Sequence, residues 1–236
     1  MSSSFTRPLL SVFLAQSCPV CDRNASSSKN RTTPTQFCID CQRQIESACH
    51  PCEGWQTTVE NSLAIGELGG YHGTLKQAVL SLKYKNRPDV AHSLGIALAK
   101  RWKQQTQISS ANLYVLPIPL HPNRLTQRGY NQAELIANAF SRASGLTTLA
   151  HGLLRTQDTL PQHQLGLGDR QKNLQSAFAV GKALHKLRRR TKAPLRILLI
   201  DDIYTTGATA QSAAQTLRAA NIRVTGMLTL ARAMTD

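Results

Sequence analysis

At 236 residues the chain has room for one sizeable domain and a small appendage. Its 28 Lys+Arg against 13 Asp+Glu give a formal net charge of +15, which points to polyanions: nucleic acid, phosphorylated metabolites or anionic membrane. No segment is apolar for long enough to span a bilayer, and an aromatic content of 5% is low for a protein that grips single-stranded bases by stacking.

The start, Met1 to Leu14, holds one arginine and an apolar run at the lower edge for a signal peptide, with no clean small-x-small cleavage site. All six cysteines fall between Cys18 and Cys52. A disulfide scaffold would need a secreted context, so a cytoplasmic protein with reduced thiols is expected. The order Cys18-x2-Cys21, sixteen residues, Cys38-x2-Cys41 predicts two knuckles gripping one tetrahedral Zn2+. Four thiolates leave no open coordination position, which makes the metal structural. Cys49 and Cys52 keep three readings: ligands in exchange with another pair, no metal at all, or a redox pair. Residues 1–56, interrupted by the polar insert 23–31, are expected to form a zinc-finger domain of double zinc ribbon type. Residues 57–236 form the second domain.

Leu63-Ala64-Ile65 opens a strand, Gly69 to Gly73 marks a turn, and Leu75, Val79, Leu80 and Leu82 recur at helical spacing. The helix leads into Lys83-Tyr84-Lys85-Asn86-Arg87-Pro88. Lys83 and Lys85 are nucleic-acid candidates, but the plainer reading, a solvated helix end whose cations relieve the dipole, is favoured. A second helix is expected over about 89–103. Leu113 to Pro119 reads as a strand that two prolines bring to an end. Arg124 and Arg128 follow, four apart and suited to an anion, and a helix runs from about Gln132 to Ala143. The polar, glycine-containing stretch Gln157–Asn173 fits a lid that orders over a ligand. His163 within it is assigned no role. Lys182–Lys192 holds six Lys/Arg and no acid. Arg188, Arg189 and Arg190 are its candidates for DNA or RNA contact, and a solvated surface connection is the equal alternative.

The chain is organised around Arg196 to Thr209. An apolar run suited to a strand buried on both faces ends in Asp201-Asp202, then a Thr205-Thr206-Gly207-Ala208-Thr209 loop opens an alanine-rich helix. Open α/β sheets place their ligand crevice at such a strand end, and a helix N-terminus is a ready anion site. Carboxylates for sugar hydroxyls beside a phosphate cradle specify a ribose 5-phosphate ligand. Ile222–Leu230 is a last strand, and the repeated strand–helix–strand order predicts a mostly parallel α/β sheet flanked by helices.

Leu198 to Thr209 resembles the phosphoribosyl pyrophosphate signature of type I phosphoribosyltransferases. Leu82-Lys83-Tyr84, Pro117-Ile118-Pro119-Leu120, Arg128 to Gln132, and Gln162 with Arg170-x-x-Asn173 extend the likeness over most of the chain. Together with the cysteine knuckles they resemble the ComF family (ComFC and GntX proteins), in which an N-terminal zinc finger precedes that fold. The resemblance implies that Asp201 and Asp202 hold the ribose hydroxyls and that Thr205, Thr206, Gly207, Ala208 and Thr209 cradle the 5′-phosphate. It places Arg124, Arg128, Asn131 and Arg170 on the pyrophosphate side and makes 156–173 the loop that closes over the site. Tyr130 stands where the family often has phenylalanine. The implied ligand is phosphoribosyl pyrophosphate with Mg2+, and the implied setting is DNA uptake in natural transformation, with single-stranded DNA and other DNA-uptake proteins as partners. The resemblance also admits an active transferase, in which a nitrogen nucleophile displaces pyrophosphate from C1, and a regulator that senses phosphoribosyl pyrophosphate. The acceptor stays open.

Overall fold

The computed structural model describes residues 17–23, 37–48, 56–58, 63–106, 108–157, 177–191 and 193–233. In chain order these form α1 (Ile39–Ala48), β1 (Gln56–Thr58), β2 (Leu63–Gly70), α2 (Gly73–Tyr84), α3 (Val90–Gln105), β3 (Leu113–Pro117), α4 (Pro122–Arg128) and α5 (Gln132–Ser144). There follow β4 (Thr147–Thr148), β5 (Leu153–Arg155), β6 (Phe178–Val180), α6 (Lys182–Arg190), β7 (Arg196–Tyr204), α7 (Ala208–Ala219) and β8 (Arg223–Arg232).

The main sheet has the order β1-β2-β8-β7-β3-β4. Every pairing in it is parallel except β1 with β2. Strand β7 lies between β8 and β3, and its apolar run is the reason. Ile197, Leu198, Leu199 and Ile200 are all 0% exposed. Leu198 and Ile200 point into the core shared with α2, α3 and α5, while Ile197 and Leu199 point into the core shared with α6 and α7. A strand covered on both faces needs apolar residues at successive positions, which explains the lost alternation. The result is three layers, helix on sheet on helix. On one face α3 and α5 touch at Gly95, where a Cβ would lie 2.8 Å from the Ile136 carbonyl oxygen and 2.6 Å from the Ala139 Cβ.

From β3 the chain moves outward to β4, then returns to the other side of β3 as β7 and continues to β8. The strand order therefore reverses between β3 and β7, and the crevice beyond their C-terminal ends is where such sheets bind ligands.

Several expectations need adjusting. Strand β2 continues to Gly70, so the turn expected over 69–73 shrinks to Tyr71 and His72. The basic stretch 182–192 is no mere connection: α6 occupies most of it and anchors through fully buried Leu184. A separate antiparallel pair, β5 with β6, brackets residues 158–176. That bracketed stretch, with Gln162, His163, Arg170 and Asn173 of the expected lid, lies outside the described residues, as do Cys49 and Cys52. The boundary expected between residues 56 and 57 falls inside β1. Cys18, Phe37, Cys38, Cys41 and Ile45 share one hydrophobic core with Leu75, Leu82 and Leu94 of α2 and α3.

Candidate functional site

The acid pair sits toward the C-terminal end of β7, where the strand leaves the core. Asp202 is 4% exposed and Asp201 is half-buried. Asp202 Oδ2 accepts from Gln132 Nε2 at 2.9 Å and meets Lys83 Nζ at 3.0 Å. The Asp202 amide donates to Asp201 Oδ1 at 2.8 Å. Burial first, then the negative charge of Asp202, pushes the Asp201 carboxyl up to about 7, against the pull of the Asp202 amide, Lys83 and Arg155. Burial works against the Lys83 ammonium, yet the charge of Asp202 and the contact with it hold it above its ordinary value.

The Thr205–Thr209 loop turns directly from this strand into α7. Thr205 and Thr206 are exposed, while Ala208 and Thr209 are half-buried. Gly207 caps the helix at φ 77°, in the left-handed region that only glycine enters freely, and a Cβ there would run into Tyr204 Oη. The first bond of α7 runs from the Gln211 amide to the Gly207 carbonyl at 2.9 Å. The amides before it face outward from the helix start with no acceptor inside the helix, so they are available to an anion.

Across the crevice, β3 ends at Pro117 and the chain passes through α4 to α5. Asn131 takes a structural part there. Its Oδ1 accepts from the Ala133 amide at 3.1 Å, capping α5, and its Nδ2 donates to the Ile118 carbonyl at 3.0 Å. That cap brings Gln132 to Asp202. Arg124 lies half-buried on α4. Arg128 stacks on Tyr84 of α2, its guanidinium carbon 5.9 Å from the ring centre. Tyr130 donates its hydroxyl to the Leu82 carbonyl at 2.5 Å. A phenylalanine could not make that bond, so the hydroxyl ties the loop after α4 to the end of α2.

Lys83 departs from what its local charge pattern leads one to expect. It is neither a solvated helix end nor free for a polyanion, because its side chain is 17% exposed and set against Asp202. The signal was present: Lys83 follows Val79 by four positions and continues the buried face of α2. Gln132 closes the Arg128–Gln132 motif, which by itself assigns it no role; its partner lies 70 positions away. Lys85, Arg188, Arg189 and Arg190 are exposed, and Arg188 donates to the Ala220 carbonyl at 2.7 Å.

The four cysteines converge as well. The sulfurs of Cys18, Cys21, Cys38 and Cys41 all lie within 4.8 Å of one another, with Cys21 and Cys38 at 3.6 Å. Tetrahedral Zn2+ with thiolates at ~2.3 Å would space its sulfurs about 3.8 Å apart. Burial raises the Cys18 thiol, but hydrogen bonds from the Cys38, Cys21 and Val20 amides outweigh it and bring it to about 7. Burial and the neighbouring sulfurs drive Cys41 upward. Four thiols this close cannot all ionise without a cation among them, so the donor set fits a metal such as Zn2+.

Fold and site define a mostly parallel α/β protein with an acid pair at its switch point and a four-cysteine cluster packed on one face. No family model matches the chain. Competence protein F of Haemophilus influenzae is 27% identical over 92% of this chain and 96% of its own length. Competence protein ComFC of Bacillus subtilis is 24% identical over 80% of this chain and 75% of its own. The DNA utilization protein YhgH of Escherichia coli O6:H1 is 26% identical over 85% and 83%. The chain is thus a relative of the ComF proteins, as the resemblance of its motifs leads one to expect. Among solved structures, adenine phosphoribosyltransferase of Leishmania donovani aligns with TM-score 0.38 and 15% identity over 64% of this chain and 55% of that one. The Trypanosoma brucei enzyme, in complex with AMP, pyrophosphate and ribose-5-phosphate, aligns with TM-score 0.38 and 12% identity over 81% and 79%. No helix among the described residues is long and apolar enough to cross a membrane.

Proposed function

We propose that the chain binds phosphoribosyl pyrophosphate with Mg2+ in the crevice between β3 and β7 and acts in the handling of incoming DNA. The observation that carries the reading is the acid pair at the end of the buried β7, next to the open N-terminus of α7. One feature suits sugar hydroxyls and the other a phosphate, at the spacing of a single short loop. Asp201 and Asp202 serve the ribose end, and the Thr205–Thr209 loop serves the 5′-phosphate. Arg124 and Arg128 on α4 supply the pyrophosphate side, with Arg170 from the segment outside the described residues. Mg2+ bound with the ligand would neutralise the pyrophosphate charge beside Arg124 and Arg128. Zn2+ in the Cys18, Cys21, Cys38 and Cys41 cluster has a structural part.

The DNA-handling half rests on relatives named for competence and DNA utilization and on the +15 charge. Exposed Arg189 and Arg190 on α6 are the cations offered to a phosphodiester backbone, and Lys85, beyond α2 on the other side of the sheet, is a separate candidate. Calorimetric titration with phosphoribosyl pyrophosphate and Mg2+ tests the reading, repeated on Asp201→Ala/Asp202→Ala. Heat is expected from the unaltered chain and none from the variant. No heat from the unaltered chain sinks the site assignment. Loss of single-stranded DNA binding with the acid pair, rather than with the basic residues, would relocate the DNA surface.

A further inference from the structure

Two adjacent carboxylates on one buried strand end are an electrostatic problem, because the second cannot ionise cheaply beside the first. This chain answers it from another element. Lys83 comes from the last turn of α2 and places its ammonium 3.0 Å from Asp202 Oδ2, with Gln132 donating to the same oxygen at 2.9 Å. The last turn of α2 is held on two further sides. Ser81 donates its hydroxyl to the Pro19 carbonyl at 2.6 Å, and Tyr130 donates to the Leu82 carbonyl at 2.5 Å. Three consecutive residues of one turn thus dock on the cysteine knuckle, the loop after α4 and the acid pair. A lysine fixed on a braced helix does not swing away as one on a loop would.

The two acids are also unequal in access. Asp202 is buried, with Oδ2 engaged by both partners, whereas Asp201 is half-buried at the crevice. We propose that Lys83 is a positioning residue of the ribose-phosphate site: with Gln132 it keeps Asp202 engaged within the protein, so that Asp201 is the carboxylate presented to the ligand's hydroxyls. This rests on the ribose-phosphate reading above and divides the labour within the pair. A bare salt bridge for stability is the competing account, and it is the weaker one. Buried ion pairs are commonly matched or exceeded by apolar residues of the same volume, so stability alone gives no reason to keep a lysine beside two carboxylates.

The groups facing Asp201 are Asp202 on its own strand, Lys83 from α2 and Arg155 from β5. Removing Lys83 leaves Asp202 facing Asp201 with less compensation, so Asp201 takes its proton more tightly. The test uses the full chain and three variants: Lys83→Met, Lys83→Arg and the charge-neutral Lys83→Met/Asp202→Asn, which stays informative where Lys83→Met alone unfolds. Two readouts are combined. Carboxyl 13C NMR follows Asp201 without any ligand, and calorimetry follows ribose 5-phosphate, phosphoribosyl pyrophosphate with Mg2+, and inorganic phosphate as a probe of the Thr205–Thr209 loop alone.

In Lys83→Met, the Asp201 midpoint is expected to rise by about one pH unit or more, and the affinity for ribose 5-phosphate near neutral pH to fall about tenfold. Inorganic phosphate should be far less affected, and Lys83→Arg should restore both properties in large part. The double variant should lose less affinity than Asp201→Asn. An unmoved midpoint refutes the charge role, and equal loss of phosphate and ribose 5-phosphate makes Lys83 merely structural. A double variant as impaired as Asp201→Asn means that Asp202 itself meets the ligand. Absence of binding to both ribose phosphates by the unaltered chain overturns the underlying reading and the ligand half of this one, while the ligand-free midpoint separately decides the charge half.

Discussion

Replacing Asp201 by asparagine should make the protein more stable, and by an amount that depends on pH. The carboxyl starts from an ordinary value of 3.8 and is held at about 7 in the fold. Each unit of such a shift corresponds to about 1.4 kcal/mol. The folded chain therefore keeps a proton that the unfolded chain gives up between these two values, so stability is full below the unfolded value and is lost as pH rises to about 7. The full shift amounts to about 4 kcal/mol; because Asp201 is partly open to water and shares its charge with Asp202 and Lys83, about 2 to 4 kcal/mol is the expected loss. Asparagine carries no such burden, and its side-chain oxygen can still accept from the Asp202 amide. Urea unfolding of the two proteins at about pH 5 and about pH 8 measures it. The variant should gain on the unaltered chain at both, and more at the higher pH. A variant that is no more stable at about pH 8, or whose advantage is the same at both, would refute the burial argument for Asp201.

Other perturbations test the parts around it. Gly207→Ala forces a side chain into a backbone at φ 77° and against Tyr204 Oη, costing about 1–2 kcal/mol in urea unfolding; the same variant should bind inorganic phosphate more weakly, and unchanged binding would detach the loop from the phosphate. Ser81→Ala removes the hydroxyl bonded to the Pro19 carbonyl and costs about 1–2 kcal/mol, while a chromophoric chelator should strip metal from it faster than from the parent. Chelation should lower the thermal midpoint of the whole protein in a single transition, because the knuckle cysteines share the core of α2 and α3; an unmoved main transition in calorimetry would show the knuckle to be a separate unit. Reversing Arg189 and Arg190 to glutamate should weaken single-stranded DNA binding and reduce its salt slope by about 0.7 for each phosphate that is no longer neutralised, and an unchanged slope would exclude that face of α6.

Strand β7 and its acid pair could be read from the residues, because an uninterrupted apolar run ending in two carboxylates leaves few alternatives once both faces of the strand are covered. The knuckle was legible for a similar reason, since four thiols at two fixed short spacings are a local signal. What escaped was either short or distant. Strands β5 and β6 are three residues each, too brief for any period to show. In α6 the basic side chains mask the pattern: Leu184 is buried and Leu187 partly so, and two leucines do not announce a helix. Lys83 was misjudged by its company. Its neighbours Tyr84 and Lys85 are exposed, so the local charge pattern said surface while the helical spacing said core. Gln132 finds its role only through a partner elsewhere in the chain, and no local rule predicts such a meeting.

The bracing of α2 also has a temporal side. The turn at 81–83 reaches back 62 positions to Pro19 and forward 48 positions to Tyr130, while Asp202 is contributed by one of the last strands. During synthesis the knuckle can close on α2 early, and α5 can follow, but Lys83 and Gln132 have no carboxylate to meet until β7 emerges. Contacts this far apart close slowly, since loop entropy must be paid first. Assembly of the crevice is therefore a late event, and a nascent chain stopped before β7 carries Lys83 and Gln132 without the carboxylate that they share in the fold. The order of the chain thus sets the order of the site: the acid pair meets Lys83 and Gln132 only after α2 and α5 have been made, and β7 is joined on its other side by β8 last of all.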